Sequence, residues 1–164
     1  MHKVKDAVND AVNEALQDAV DDAVEQALAV APVKAPETLF GFDFGIKRIG
    51  VAIGNTMIGQ ANPLAVIQSA VNDVRFAEIK ALIDKWGPAR LVVGLPFHPD
   101  GAEHDMTARC RKFANQLNGR FNLPVVLVDE RYSSAMIAAR RGEIIDDRAA
   151  AIILQQYFDE YVPH

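Results

Sequence analysis

The stretch Thr38–Asn55, TLFGFDFGIKRIGVAIGN, has the apolar density of two buried strands, yet Asp43 sits inside the first of them. Strands disfavour Asp, and a buried carboxylate without a partner costs several kcal/mol. Other acids fall where a packed domain needs none. Asp129 and Glu130 end the apolar run PVVLVDE, and Asp146 and Asp147 open the periodic segment RAAAIILQQYF. Ligands of parallel sheets gather at the carboxyl ends of the strands, and a helix start reaches the same edge. Carboxylates brought together there repel one another unless divalent cations lie between them. An all-oxygen donor set suits Mg²⁺ or Mn²⁺. Two such ions about 4 Å apart clamp a phosphodiester and activate a water for in-line attack.

Each residue also has a plainer role open to it. Asp146 or Asp147 can cap a helix, and Asp129 can pair with a neighbouring arginine. Lys47 and Arg48 read either as solvated turn residues or as phosphate contacts. Gly45 leaves room for a substrate backbone to approach. His98 reads as a loop histidine, with no second His or Cys at metal-ligand spacing. Ser133 and Ser134 read as helix caps rather than nucleophiles, since no His is paired with them.

The elements that must position these residues alternate along the chain. Strands are expected at 38–44, 48–54, near 64–67, at 90–96 and at 124–130. Helices are expected at 72–86, with Ile79, Leu82, Ile83 and Trp86 on one face, and at about 103–118, with Met106, Cys110, Phe113 and Leu117 in line. Two more are expected at about 133–141 and 147–161. The first two strands have a short connection and should pair antiparallel. The later ones are separated by helices and should run parallel. A mixed sheet with helices on its faces follows.

Residues 6–31 repeat a four-residue pattern, DAVN DAVN EALQ DAVD DAVE QALA, free of Gly and Pro, and should be helical. A four-residue step overshoots one turn by about 40°, so the Val/Leu stripe winds around the helix and does not form a heptad seam. APVKAPE, residues 31–37, reads as a linker. The chain therefore divides into an acidic helix with its linker, 1–37, and a domain, 38–164. The net charge of −5 lies entirely in the first part, which carries eight acids and three lysines. The remaining 14 acids and 14 basic residues cancel, and a neutral domain can still hold a local basic patch. No run of about 18 apolar residues is present, so no membrane span is expected. The N-terminus has no secretory pattern, and the single Cys110 reads as core. A cytoplasmic protein fits these features.

Four stretches in order carry a resemblance: FDFGIKRIGVAIG, LVVGLPFHPDGAEHDMTARCRKFANQL, VDERYSS and DDRAAAIILQQYF. From Leu39 to Tyr161 the chain resembles the YqgF/RuvX family, Holliday junction resolvases associated with pre-16S rRNA processing. The resemblance implies an RNase H-like fold: a mixed five-stranded sheet, second strand antiparallel, flanked by helices, here with an extra N-terminal helix. It also implies a nuclease that uses Mg²⁺ or Mn²⁺ and acts on nucleic acid, either pre-rRNA or branched DNA. It places the catalytic, metal-binding acids at Asp43, Glu130 and Asp146, the last because two residues separate it from Ala149. Lys47, Arg48, Arg131, Arg140 and Arg141 are the expected substrate contacts. Gly94 and Pro96 shape a loop beside the site. Two departures stand out. Relatives have a longer, basic connection where this chain has only RRGEII, and the acidic helix has no family counterpart. A binding protein that retains the fold without catalysis is the competing class. DFGIKRIGVAIG also resembles the first phosphate motif of sugar kinases and actin-like ATPases, but those need two such domains, and no P-loop is present.

Overall fold

The computed structural model describes residues 8–20, 35–140 and 148–162. Contacts divide the chain into two compact units, Met1–Ala35 and Pro36–His164. In the first, residues 8–20 form a helix, α1, as the alanine-rich repeat predicts.

The second unit holds β1 (Thr38–Phe44), β2 (Ile49–Asn55), β3 (Ala61–Ile67), α2 (Asn72–Trp86), β4 (Arg90–Leu95), α3 (Thr107–Phe121) and β5 (Val125–Asp129). A 3₁₀ turn (Glu130–Tyr132), α4 (Ser134–Arg140) and α5 (Ala149–Tyr161) complete it. The strands form one sheet in the order β3-β2-β1-β4-β5. β2 pairs antiparallel with both β1 and β3, whereas β1–β4 and β4–β5 are parallel. This is the expected mixed sheet with its second strand reversed.

Side-chain alternation along β1 decides what covers each face. Phe40 and Phe42 point into one core with Ile79 of α2 and Phe113 and Leu117 of α3, all at most 1% exposed. Leu39 points the other way, into a core with Ile153, Leu154 and Phe158 of α5. Each fully buried side chain of this size contributes about 1.5–3 kcal/mol. On the α5 face β1 places Gly41 below Asp43. A Cβ on Gly41 would lie 2.7 Å from Leu154 Cβ and 2.9 Å from the Ala150 carbonyl oxygen. On β2, a Cβ on Gly54 would lie 2.6 Å from the Phe158 ring. The glycines let α5 lie directly on the sheet, and its opening Ala149, Ala150 and Ala151 are buried there.

Some expectations shift. On α2, Ile79 is buried and Leu82 and Ile83 pack partly buried on the same core as expected, but Trp86 is exposed and the buried face extends instead to Arg75 and Phe76. α3 begins at Thr107, because residues before it are held in a loop: His104 N–H donates to Thr107 Oγ1 (2.9 Å), and that hydroxyl donates to the Pro96 carbonyl. β3 starts at Ala61 and tolerates Pro63 because it is the sheet's edge strand, with a register shift at Val51/Ala52 opposite. Cys110 is buried, as expected. Among the described residues no helix is long and apolar enough to cross a membrane.

Candidate active site

Asp43 is the penultimate residue of β1, one step beyond the parallel pair Phe42–Val93, and pairs with Gly50 of β2. A Cβ on Gly50 would meet both Asp43 Cβ (3.7 Å) and Ala150 Cβ (3.5 Å), so Asp43 lies on the α5 face near the start of that helix. Glu130 follows the last residue of β5, Asp129, which pairs with Leu95 of β4. It is only 5% exposed. A Cβ on Gly94 would lie 2.6 Å from Glu130 Oε1 and 2.6 Å from Ile153 Cδ1. Glu130 therefore leans over β4 on the same α5 face, and the space that admits it is the missing side chain of Gly94. The two acids stand on strands separated by β4 alone, two strand spacings or roughly 10 Å between backbones. They share one edge of the sheet, where β1, β4 and β5 all end.

A cleft of about 870 Å³ opens at this edge. Glu130, Arg131 and Lys47 bring charge to it, and Phe44, Ile46, Pro96, Phe97, Met106 and Met136 wall it. Apolar walls lower the local dielectric and strengthen every charge interaction inside.

Lys47 and Arg48 are exposed in the β1–β2 turn. That turn has an anchor the sequence did not reveal. Arg75 of α2, 3% exposed, donates from Nη2 to the carbonyls of Gly45 and Ile46 (2.6 Å to the latter) and from Nε to that of Ser69. Its guanidinium lies 5.3 Å from the centre of the Phe44 ring. Burial lowers its pKa, and the three carbonyls offset that desolvation. Gly45 lines the cleft and is also required by the turn: a Cβ there would lie 2.7 Å from the Arg48 carbonyl oxygen.

Arg131 is engaged within the protein. Its Nη2 donates to Asp129 Oδ2 at 2.7 Å and its Nε to both carboxylate oxygens at 3.1 Å. The Arg131 backbone N–H donates to the same carboxylate. Hydrogen bonding from Arg131 holds the Asp129 carboxyl below its ordinary pKa. Asp129 thus takes the plain pairing role, and Glu130 is left to face the cleft. Gly101, at φ +92°, packs against Arg131, where a Cβ would lie 2.8 Å from Nη1. This ties the loop after β4 to the end of β5. His98 meets His104 with ring centres 5.1 Å apart and planes tilted by 40°, a loop contact. Ser133 Oγ accepts from Met136 N–H (3.0 Å) and caps α4, as expected.

Asp146, Asp147 and Arg141 lie outside the described residues, as does the side chain of Arg140. The described residues hold no group of three or more potential metal ligands, so they supply two of the three expected acids. Both are carboxylates at a partly enclosed edge, and such a hard-oxygen donor set fits Mg²⁺ or Mn²⁺.

The model of the RuvX family, described as Holliday junction resolvase, matches residues 37–160. The chain belongs to the RuvX family of nucleases. A protein of Paraburkholderia phytofirmans named "Putative pre-16S rRNA nuclease" is 52% identical over 134 residues, covering 78% of this chain and 92% of that protein. One of Burkholderia lata, with the same name, is 50% identical over 137 residues, covering 77% and 92%. Among solved structures, T. thermophilus RuvC in complex with Holliday junction substrate superposes with a TM-score of 0.52 at 16% identity, over 76% of this chain and 94% of that one. That likeness bears on the fold, which is RNase H-like.

Proposed function

We propose that this RuvX-family protein is a metal-dependent endonuclease that hydrolyses phosphodiester bonds in structured RNA, and that it trims the 5′ end of pre-16S rRNA in ribosome biogenesis in the cytoplasm. The observation that carries the reading is the convergence of Asp43 and Glu130 on one face of the sheet's carboxyl edge, beside a cleft with Lys47 on its rim. The names of relatives at about half identity support the RNA substrate. Asp43 and Glu130, with Asp146 as the third acid, would hold Mg²⁺ or Mn²⁺. The metal would supply Lewis acidity toward the phosphate and lower the pKa of a water. The chain's own residues do the rest. β1 fixes Asp43 rigidly, and Gly94 leaves room for the Glu130 carboxylate. Lys47 and Arg48 offset phosphate charge at the mouth of the cleft. Arg131 restrains Asp129, and Arg140 and Arg141 are further candidate contacts with the substrate.

The family description favours a second substrate, branched DNA. Purified protein incubated with precursor 16S rRNA and with a four-way DNA junction, each with Mg²⁺, Mn²⁺ or EDTA, separates the readings. Metal-dependent cleavage of the RNA at a discrete 5′ site is the expected result. Cleavage confined to the junction would favour the second reading. Tight binding with no cleavage in any metal would mean a nucleic-acid-binding protein that keeps the fold without the chemistry.

A further inference from the structure

We propose that the outer face of α3, centred on Arg109 and Lys112, is a second phosphate-binding surface that guides the nucleic-acid backbone away from the catalytic edge. The inference rests on the nucleic-acid reading above.

α3 carries Arg109, Arg111, Lys112 and Arg120 and not one acid, within a domain that is neutral as a whole. Two of these cations have structural work. Arg111 pairs with Glu103 and lies 5.7 Å from the centre of the Phe97 ring. Arg120 lies 4.1 Å from the centre of the Phe76 ring. Arg109 and Lys112 are exposed, and neither has an ion pair among the described residues. Like charges at i and i+3 repel across a helix face and work against it. Among the described residues no ion pair accounts for their being there.

Their position suggests what they serve. Arg109, Lys112 and Gln116, at i, i+3 and i+7, form one stripe along α3 and line a cleft of about 300 Å³. Phe44 and Ile46 wall that cleft and also wall the larger catalytic one. The two clefts therefore meet at the β1–β2 turn, where Lys47 and Arg48 stand. A strand whose scissile phosphate lies at the acidic edge must send its neighbouring phosphates somewhere. The path past Ile46 onto α3 meets the exposed Arg109 and Lys112 in turn. A polyphosphate backbone fits such a track because its charges recur along its length.

The test measures binding of a labelled RNA fragment of precursor 16S rRNA to the full chain across a KCl series, in EDTA so that nothing is cut. For the double variant Arg109→Ala/Lys112→Ala the log–log salt slope should become shallower by about 1.4–1.8, two phosphate contacts at roughly 0.7–0.9 each. The charge-preserving double variant Arg109→Lys/Lys112→Arg should restore it. Lys80→Ala, which removes a cation paired with Asp84 on α2, should leave it unchanged. An unchanged slope in the alanine variant, or an equal drop in Lys80→Ala, would overturn the proposal. Hydrolysis of bis(p-nitrophenyl) phosphate with Mn²⁺, which has no flanking backbone, should proceed in the alanine variant at the wild-type rate. A loss there equal to the loss on RNA would also overturn it. If wild-type protein bound RNA with the steep slope yet hydrolysed neither substrate, the catalytic reading would fail while this surface stood.

Discussion

At the residue scale, neighbouring carboxylates are given different work by what surrounds them. Asp129 and Glu130 are adjacent in sequence, yet one is hydrogen-bonded to Arg131 and the other leans into space left by Gly94. The residue pattern alone did not separate the two, because both end the same strand, and the expectation of Glu130 came from the family resemblance. The choice follows from the 3₁₀ turn after β5, in which Asp129 accepts the Arg131 N–H and Glu130 turns inward. The pair has a pH signature. Hydrogen bonding from Arg131 lowers the Asp129 pKa in the folded state, so its contribution is present above the ordinary carboxylate value and is lost as pH falls through the folded value. Asp129→Asn should therefore melt below wild type at pH 7, and the gap should close as the pH is lowered past about 4. Thermal melts over a pH series check this. A gap independent of pH would mean that the Asp129 charge contributes nothing.

At the scale of elements, the strands and the fold class were legible in the sequence because their apolar runs and connection lengths leave few arrangements. β1 and α2 fall on the expected residues. What escaped was set by contacts between elements. Arg75 reads as a solvent-facing cation on a helix, and only the packed fold shows the three carbonyls that take its donors, two from the β1–β2 turn and one, that of Ser69, from the loop before α2. Gly41 and Gly54 read as weak points in strands until α5 is laid across them. The cations of α3 were not singled out in the sequence, and their adjacency to the larger cleft depends on the turn at Ile46. Arg75→Met keeps the bulk and removes the donors, taking the partner from three part-buried carbonyls. It should cost on the order of 1–3 kcal/mol in urea unfolding. It should also weaken RNA binding, since the turn carrying Lys47 and Arg48 loses its anchor. Wild-type stability in this variant would contradict the clamp.

At the scale of the whole molecule, charge is divided unevenly along the chain. Residues 1–37 carry the net −5, and the domain is neutral, with Lys47 and Arg48 exposed in the turn beside the sheet's carboxyl edge. A polyanion approaching the protein is repelled by the first part and attracted to a patch on the second. Deleting residues 1–36 should leave cleavage chemistry and the domain's melting intact, because Asp43, Glu130 and Asp146 all lie beyond Thr38. RNA binding should tighten, most at low salt, where screening is weakest. Binding isotherms at two salt concentrations and sedimentation of the truncated protein decide it. A marked loss of stability or a changed oligomeric state would mean that the helix belongs to a core or an interface.

The central claim is that the acid within β1 is there for chemistry and not for the fold. Its most direct test is the rate of precursor 16S rRNA cleavage at increasing Mn²⁺ for wild type and Asp43→Asn, with melting followed on the same samples. The substitution keeps size and removes charge. The account predicts that cleavage by Asp43→Asn falls at least about 100-fold at every Mn²⁺ concentration, a loss of roughly 2.7 kcal/mol or more in transition-state stabilisation. Its melting temperature without metal should match or exceed that of wild type, because repulsion with neighbouring carboxylates is relieved. Cleavage at the wild-type rate, or a variant that fails only because it unfolds, would contradict it.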